Sequence, residues 1–250
     1  MSRRLSNHVA LVTVAVSALL LSACGHKKTQ VAVPAPPPPS AQTSAGESAP
    51  ESREPAGRNE ITVPADAKPI FEQTGVASWY GPPYHNRRGS NGEIYDMNAM
   101  TAAHLTLPLG SIVRVTNVKT GHAALLRITD RGPFVEGRIL DLSLAAAKAL
   151  DVYLPGTATV RLEVLEAPAA IDAGGRWCIQ VGPFEGEKAA AELAGRLQRR
   201  YQTAKVLKFP SPTGRWWVRV RVLDDDRERA TAMMRENEIA EAPAFLVRLD

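Results

Sequence analysis

Between Trp79 and Asp141 the chain gathers the residue types that can break a glycosidic bond. Glu93, Asp96, Asp130 and Asp141 carry carboxyls and His104 an imidazole. They stand in four polar stretches: Ser90-Asn91-Gly92-Glu93-Ile94-Tyr95-Asp96, Thr101-Ala102-Ala103-His104, Thr129-Asp130-Arg131-Gly132-Pro133-Phe134 and Arg138-Ile139-Leu140-Asp141-Leu142-Ser143. Such groups beside glycines and turn residues, on a β-rich scaffold, belong to a site rather than to a core. Glycosidic cleavage needs an acid to protonate the leaving oxygen and a negative group to support oxocarbenium-like charge. Two carboxyls whose surroundings separate their pKa values supply both.

The plainer readings stand beside these. Glu93 and Asp130 also suit surface turns, Asp96 suits fixing its own loop, and Asp141 suits capping a helix that follows it. His104 also suits a satisfied structural position, and Arg131 and Arg138 either orient carboxylates or lie in solvent. Tyr80 and Tyr84 offer broad apolar faces for sugar rings, whereas Trp79 reads as core. His85, His104 and His122 lack the close spacings of zinc sites, and there is no G-x-S-x-G elbow or phosphate-cradling loop. Neither a metal nor a cofactor is expected.

The elements that must hold these groups are mostly strands. Residues 112–117, 124–129 and 158–164 alternate apolar and polar side chains, as half-buried strands do. Turn signals at Pro108-Leu109-Gly110, Lys119-Thr120-Gly121 and Leu154-Pro155-Gly156 separate them. One Ala-rich helix is expected over Leu142–Leu150, starting at Asp141 or Ser143. A small closed barrel with one short helix fits this pattern.

Ahead of the barrel lie two segments of different character. Arg3 and Arg4, the apolar run from Val9 to Leu21 and then Leu21-Ser22-Ala23-Cys24 have the layout of a secretory signal, and the run is too short to span a bilayer. The last four residues resemble a bacterial lipobox, so residues 1–23 are expected to be removed and Cys24 lipidated, with Gly25 after it implying the outer membrane. Two or more acyl chains anchor stably. Residues 24–70 are rich in Pro, Ala and Ser around Pro36-Pro37-Pro38-Pro39 and are expected to form a disordered tether that reaches away from the membrane.

Loss of residues 1–23 would take away Arg3 and Arg4 and no acid, moving the net charge from +4 to +2. That balance gives no reason to expect nucleic acid, and no finger or RNP motif argues for it. With Cys24 lipidated, only Cys178 remains, so no intramolecular disulfide is expected; in its strand-like run it reads as a buried, inert thiol.

The order Ala77-Ser78-Trp79-Tyr80-Gly81, Asn91-Gly92-Glu93, Thr101-Ala102-Ala103-His104, Asp130-Arg131-Gly132-Pro133-Phe134 and Arg138-Ile139-Leu140-Asp141-Leu142-Ser143 resembles the double-psi β-barrel of the rare lipoprotein A family. The resemblance implies a six-stranded barrel over residues 71–166 that cleaves peptidoglycan glycan strands as a lytic transglycosylase, in some members strands stripped of stem peptides. It also implies kinship with expansins. In this reaction the muramic acid 6-hydroxyl attacks its own anomeric carbon and leaves a 1,6-anhydro product. No water need be positioned, because the nucleophile is already at high effective concentration. Carried over by position, Asp130 is the expected acid/base, Glu93 stabilises charge or fixes the sugar, and His104 orients a carboxylate. Asp141 is the second candidate acid, and Tyr80, Tyr84 and Arg131 are candidate substrate-binding residues. The chain departs from the family at Tyr84-His85-Asn86, where Phe-His-Gly is common, and at Thr129, where Asn is common.

After a hinge over residues 167–174, residues 175–250 read as strand, helix, strand, strand, helix, strand. Ala190, Leu193, Ala194 and Leu197 share one helical face, and Trp216, Val218, Val220 and Val222 alternate with Trp217, Arg219 and Arg221. The result is a ferredoxin-like βαββαβ sandwich. Opened by Trp177-Cys178-Ile179-Gln180-Val181-Gly182-Pro183-Phe184, it resembles a SPOR domain, which implies binding to stem-peptide-free glycan at the division septum. Gln180, Trp217 and Arg219 are candidates for a sugar-facing sheet, with plain sheet packing as the other reading. The chain has Arg219-Val220-Arg221-Val222-Leu223 where a Gly-Pro-Phe turn is common. Together these readings describe a septal lytic transglycosylase held to the outer membrane and facing the periplasm. A non-catalytic, expansin-like wall-binding or scaffold lipoprotein is the alternative.

Overall fold

A computed structural model of the chain describes residues 61–64, 66–203, 205–236 and 242–250, all within one compact unit, Arg53–Asp250. The expected signal segment, Cys24 and the tether up to residue 60 lie outside the described residues. Residues 61–64 and 66–70 form no helix or strand, and the Ile70 N–H enters the barrel by donating to the Val164 carbonyl at 2.8 Å.

Six strands close the barrel: β1 (Phe71–Trp79), β2 (Thr101–Ala103), β3 (Ile112–Asn117), β4 (Ala123–Asp130), β5 (Arg138–Leu142) and β6 (Ala158–Glu166). Around the barrel the order is β1-β5-β2-β4-β3-β6. The β1–β5 and β2–β4 pairs are parallel, and the remaining four are antiparallel. Alternation in β3, β4 and β6 sends Val113, Val115, Leu126, Ile128, Val160, Leu162 and Val164 into a fully buried core with Leu140 and Leu142 of β5. Closure leaves no unpaired edge in this half of the molecule.

The barrel helix is shorter than its Ala-rich run. Helix α1 spans Leu144–Ala149, because Leu142 completes β5 and Ser143 is the N-cap, accepting from the Ala146 N–H at 3.1 Å. Asp141 therefore lies inside a strand, and the capping role open to it in the sequence belongs to Ser143 alone.

The C-terminal sandwich has β7 (Trp177–Phe184), α2 (Glu187–Arg200), β8 (Lys205–Pro210), β9 (Trp216–Arg221), α3 (Arg227–Glu236) and β10 (Ala244–Arg248), in the sheet order β10-β7-β9-β8. Trp177, Ile179, Val181, Val218 and Val220 pack under the helices against Ala190, Leu193, Leu197, Ala230 and Met233. The opposite face of this sheet is seated on the barrel. Cys178, Trp217, Phe245 and Val247 form a cluster with Leu105 and Phe134, and Phe134 lies 5.0 Å from the Trp217 ring and 5.7 Å from Phe245. Two backbone bonds join the parts, from Leu109 N–H to the Asp250 carbonyl (3.2 Å) and from Arg248 N–H to the Leu105 carbonyl (3.0 Å).

Candidate active site

Strand register assembles the central pair of carboxyls. In β2, Ala103 pairs with Asp130 of β4 on one side and with Asp141 of β5 on the other. Residues paired across neighbouring strands point to the same face, and strands lie about 4.8 Å apart, so the two aspartates share a face with backbones roughly 10 Å from one another. Both line a cleft of about 630 Å³ with Tyr80, Tyr84, Ala103 and Gly132. Gly132 has φ +147°, and a Cβ there would stand 3.8 Å from Asp141 Oδ2 and 3.7 Å from the Ala103 methyl. A glycine at this turn keeps the approach to Asp141 open.

The two carboxyls have opposite surroundings. Asp130 Oδ1 accepts from the Ser90 N–H (3.0 Å), the Ser90 hydroxyl (2.5 Å) and the Arg131 N–H (2.8 Å), a set of donors suited to a carboxylate. Asp141 is largely withdrawn from solvent, and burial raises its pKa against the opposing effects of Arg138 and Ser78. The Ser78 hydroxyl donates to its Oδ1 at 2.7 Å and Arg138 Nη2 to its Oδ2 at 3.4 Å. One carboxyl is thus wrapped in donors and the other is withdrawn from solvent beside one hydroxyl and one arginine.

Tyr80 adds a donor near both. Its ring stacks on Tyr95 at 4.4 Å and meets Tyr84 edge-on at 5.6 Å, so one of the faces expected to carry sugar is already covered. Burial, then the charge of Asp130, with Asp141 also contributing, holds its phenol protonated far above the ordinary range. The hydroxyl is buried beside that of Tyr95. Tyr84 remains half-exposed at the rim, and Trp79 packs against the barrel core and Tyr153.

Three sequence candidates sit elsewhere than expected. His104 is 4% exposed, and among the described residues its ring bonds to no carboxylate. Its Nδ1 accepts the N–H groups of Thr106 (3.1 Å) and Leu107 (3.0 Å), which leaves Nε2–H to donate to Gln73 Oε1 at 3.1 Å. Burial, aided by Arg131, lowers its pKa to about 3, so it is a neutral pin for the loop after β2. Arg131 gives its guanidinium to the carbonyls of His104 (3.0 Å), Leu107 (2.7 Å) and Asp250 (2.6 Å), tying β4 to the C-terminal module rather than reaching for substrate. Glu93 is exposed at a turn, held by Asn91 Nδ2 at 2.7 Å, and lines a second cavity of about 100 Å³ that meets the cleft at Asp130. Its motif instead delivers Ser90 to Asp130.

Gln180, Trp217 and Arg219 all line the main cleft. Trp217 is mostly consumed in the seat on the barrel, whereas Gln180 and Arg219 bond one another, Arg219 donating from Nε (3.2 Å) and Nη2 (2.7 Å) to the Gln180 side-chain oxygen. Sequence reasoning missed Ser78 and Ser90. The signal for both was a hydroxyl inside the same polar motifs as the acids. Among the described residues no group of three His, Cys, Asp or Glu side chains could hold a metal ion.

Residues 72–162 match the lytic transglycolase family model, and residues 173–248 match that of the SPOR domain. The endolytic peptidoglycan transglycosylase RlpA of Campylobacter jejuni is 37% identical over 164 residues, 56% of this chain and 60% of that protein. Its namesake in Vibrio cholerae is 56% identical over 95 residues, 38% of this chain and 36% of the relative. The chain spans about half the length of the curated relatives it matches. Among solved structures, an expansin of Clavibacter michiganensis aligns at 15% identity and a TM-score of 0.32, covering 71% of this chain and 96% of that one.

Proposed function

Because the chain belongs to the rare lipoprotein A family, we propose that it cleaves peptidoglycan glycan strands as an endolytic transglycosylase, with Asp141 as the acid and Asp130 as the anionic partner. The observation that carries this reading is the opposed setting of two carboxyls in one cleft, Asp141 with its pKa raised by burial and Asp130 wrapped in donors. It prefers the second candidate acid of the sequence reading, Asp141, to the first, and moves Asp130 to the charge-supporting role expected there of Glu93. Protonated Asp141 gives its proton to the glycosidic oxygen as the bond to the muramoyl anomeric carbon breaks. Ionised Asp130 supports the positive charge that develops there. The muramoyl 6-hydroxyl then closes on that carbon and returns its proton to Asp141, so the acid is regenerated and no water is consumed. In the same proposal, the lipobox-like Leu21-Ser22-Ala23-Cys24 anchors the enzyme to the outer membrane, facing the periplasm, and the C-terminal module enriches it at the septum.

The test incubates the purified protein with glycan strands and weighs the products. Products lighter by one water than those of a hydrolase are expected. Strands left intact by a folded, glycan-binding protein would overturn the reading in favour of a wall-binding protein. Asp141→Asn should lower turnover by roughly 10²–10⁴-fold. Because burial raises the Asp141 pKa, the native state bears an ionised buried carboxyl only above that raised pKa; the Asn variant should therefore be at least as heat-stable as its parent at neutral pH and above. Full turnover in Asp141→Asn, with loss confined to Asp130→Asn, would reverse the assignment.

A further inference from the structure

The segment that carries Asp130 also carries the seat of the C-terminal module. In Asp130-Arg131-Gly132-Pro133-Phe134 the first residue ends β4 and lines the cleft, and the last is the ring on which Trp217 and Phe245 rest. Between them Arg131 faces both ways. Its backbone N–H donates to Asp130 Oδ1 at 2.8 Å, and its side chain donates to the Asp250 carbonyl of the module at 2.6 Å.

A buried guanidinium keeps its place only while its donors are matched. Arg131 is 7% exposed, and the module supplies one of the three carbonyls that hold it, the others being those of His104 and Leu107. The loop after β2 is gripped from the same side, where Arg248 N–H donates to the Leu105 carbonyl and Leu109 N–H to that of Asp250. That loop reaches Asp130 as well, because His104 N–H donates to its backbone carbonyl at 3.1 Å. Withdrawal of the module would break these bonds and open Leu105 and Phe134 to water. Both segments that fix Asp130 would then loosen together, and a displacement of about 1 Å in a reacting group costs on the order of 10²-fold in rate.

We propose that Arg131 is a positioning residue that couples the docked module to the Asp130 carboxylate, so that the barrel cuts at full rate only while the C-terminal sheet is seated on it. This rests on the transglycosylase reading, in which Asp130 supports the developing charge. Release of the module leaves both aspartates in the cleft and slows the bond-breaking step. Anything that draws the module off the barrel thereby turns cutting down without touching either acid.

The test releases the module without altering the barrel. Phe245 belongs to the seat rather than to the core beneath the helices or the lining of the cleft, so Phe245→Asp places a charge in the seat and leaves both cores intact. Release is read from the alkylation rate of Cys178, which is fully buried in the same seat; Cys24→Ser in the full-length parent and variants leaves it the only thiol. With glycan strands as substrate, Phe245→Asp should show faster alkylation, a kcat lower by roughly 10–100-fold and little change in KM. Arg131→Gln should lower kcat to a similar extent, and Arg131→Lys should recover part of the loss. The double variant Phe245→Asp, Arg131→Gln should be no slower than the slower single variant, because the two substitutions break one link. If Arg131→Gln does not fold, Phe245→Asp decides alone. Faster alkylation with kcat unchanged or raised would overturn the proposal, as would losses that multiply in the double variant, a loss carried by KM, or alkylation that Phe245→Asp leaves slow. A parent that cuts nothing removes the transglycosylase reading and this inference with it, whereas a parent that cuts, with Phe245→Asp cutting as fast, removes this inference alone.

Discussion

His104 shows how a residue can serve a site without meeting its chemistry. Two backbone N–H groups point at Nδ1, which can accept them only if the ring is neutral, and this dictates the tautomer that reaches Gln73. With a pKa near 3 in the folded protein against 6.5 for the unperturbed ring, the native ring refuses a proton that the unfolded chain takes up. The sign follows: above pH 6.5 neither state is protonated and stability does not depend on this group, and as pH falls from 6.5 toward 3 the unfolded state gains protons and stability declines, at most about 1.4 kcal/mol per pH unit. Denaturant titrations at pH 7, 5.5 and 4 should show this decline in the parent and a shallower one in His104→Asn. Equal slopes would mean that the ring accepts a proton without disturbing the loop after β2. Such a pin was not legible as a pin. The sequence shows an imidazole among acids, and its partner Gln73 lies 31 residues earlier, on a strand that no alternation announces.

At the scale of elements, legibility followed regularity. Strands β3, β4 and β6 alternate cleanly because one face of each is core, and the face of α2 carrying Ala190, Leu193 and Leu197 is equally plain. Strands β1, β2 and β5 are not. The first carries Gly75 among polar residues, the second is three residues long, and the parallel pairings through which they close the barrel contain register shifts at Val76/Ala77 and Ala102/Ala103. Bulges of this kind re-aim side chains, which is what the two aspartates require. The short helix behind β5 depends on its cap. The buried Ser143 hydroxyl accepts from Ala146 N–H and donates to the Ala99 carbonyl at 2.7 Å. Ser143→Ala should cost about 1–2 kcal/mol in equilibrium unfolding. A loss of a few tenths would show that α1 is held by packing alone.

For the molecule as a whole, the informative contacts are those farthest apart in sequence. Arg131 stands next to Asp130, yet one of its bonds reaches a carbonyl 119 residues away. The docking of the two folds through Phe134, Trp217 and Phe245 could not be inferred from either fold alone, because both exist as closed units with their own cores. Phe134→Ala removes the ring on which both aromatics rest and should cost roughly 2–4 kcal/mol of docking. Calorimetry should then show two unfolding transitions where the parent shows one, and a single unshifted transition would mean that the seat contributes little. At the bottom of the cleft, the side chain registered between the two aspartates is the methyl of Ala103. The depth available to a sugar is therefore set by a residue that takes no part in proton transfer. On the proposed transglycosylase reading, a larger side chain at this position would block cleavage while every acid stays in place, leaving a protein that keeps both aspartates and only grips the wall.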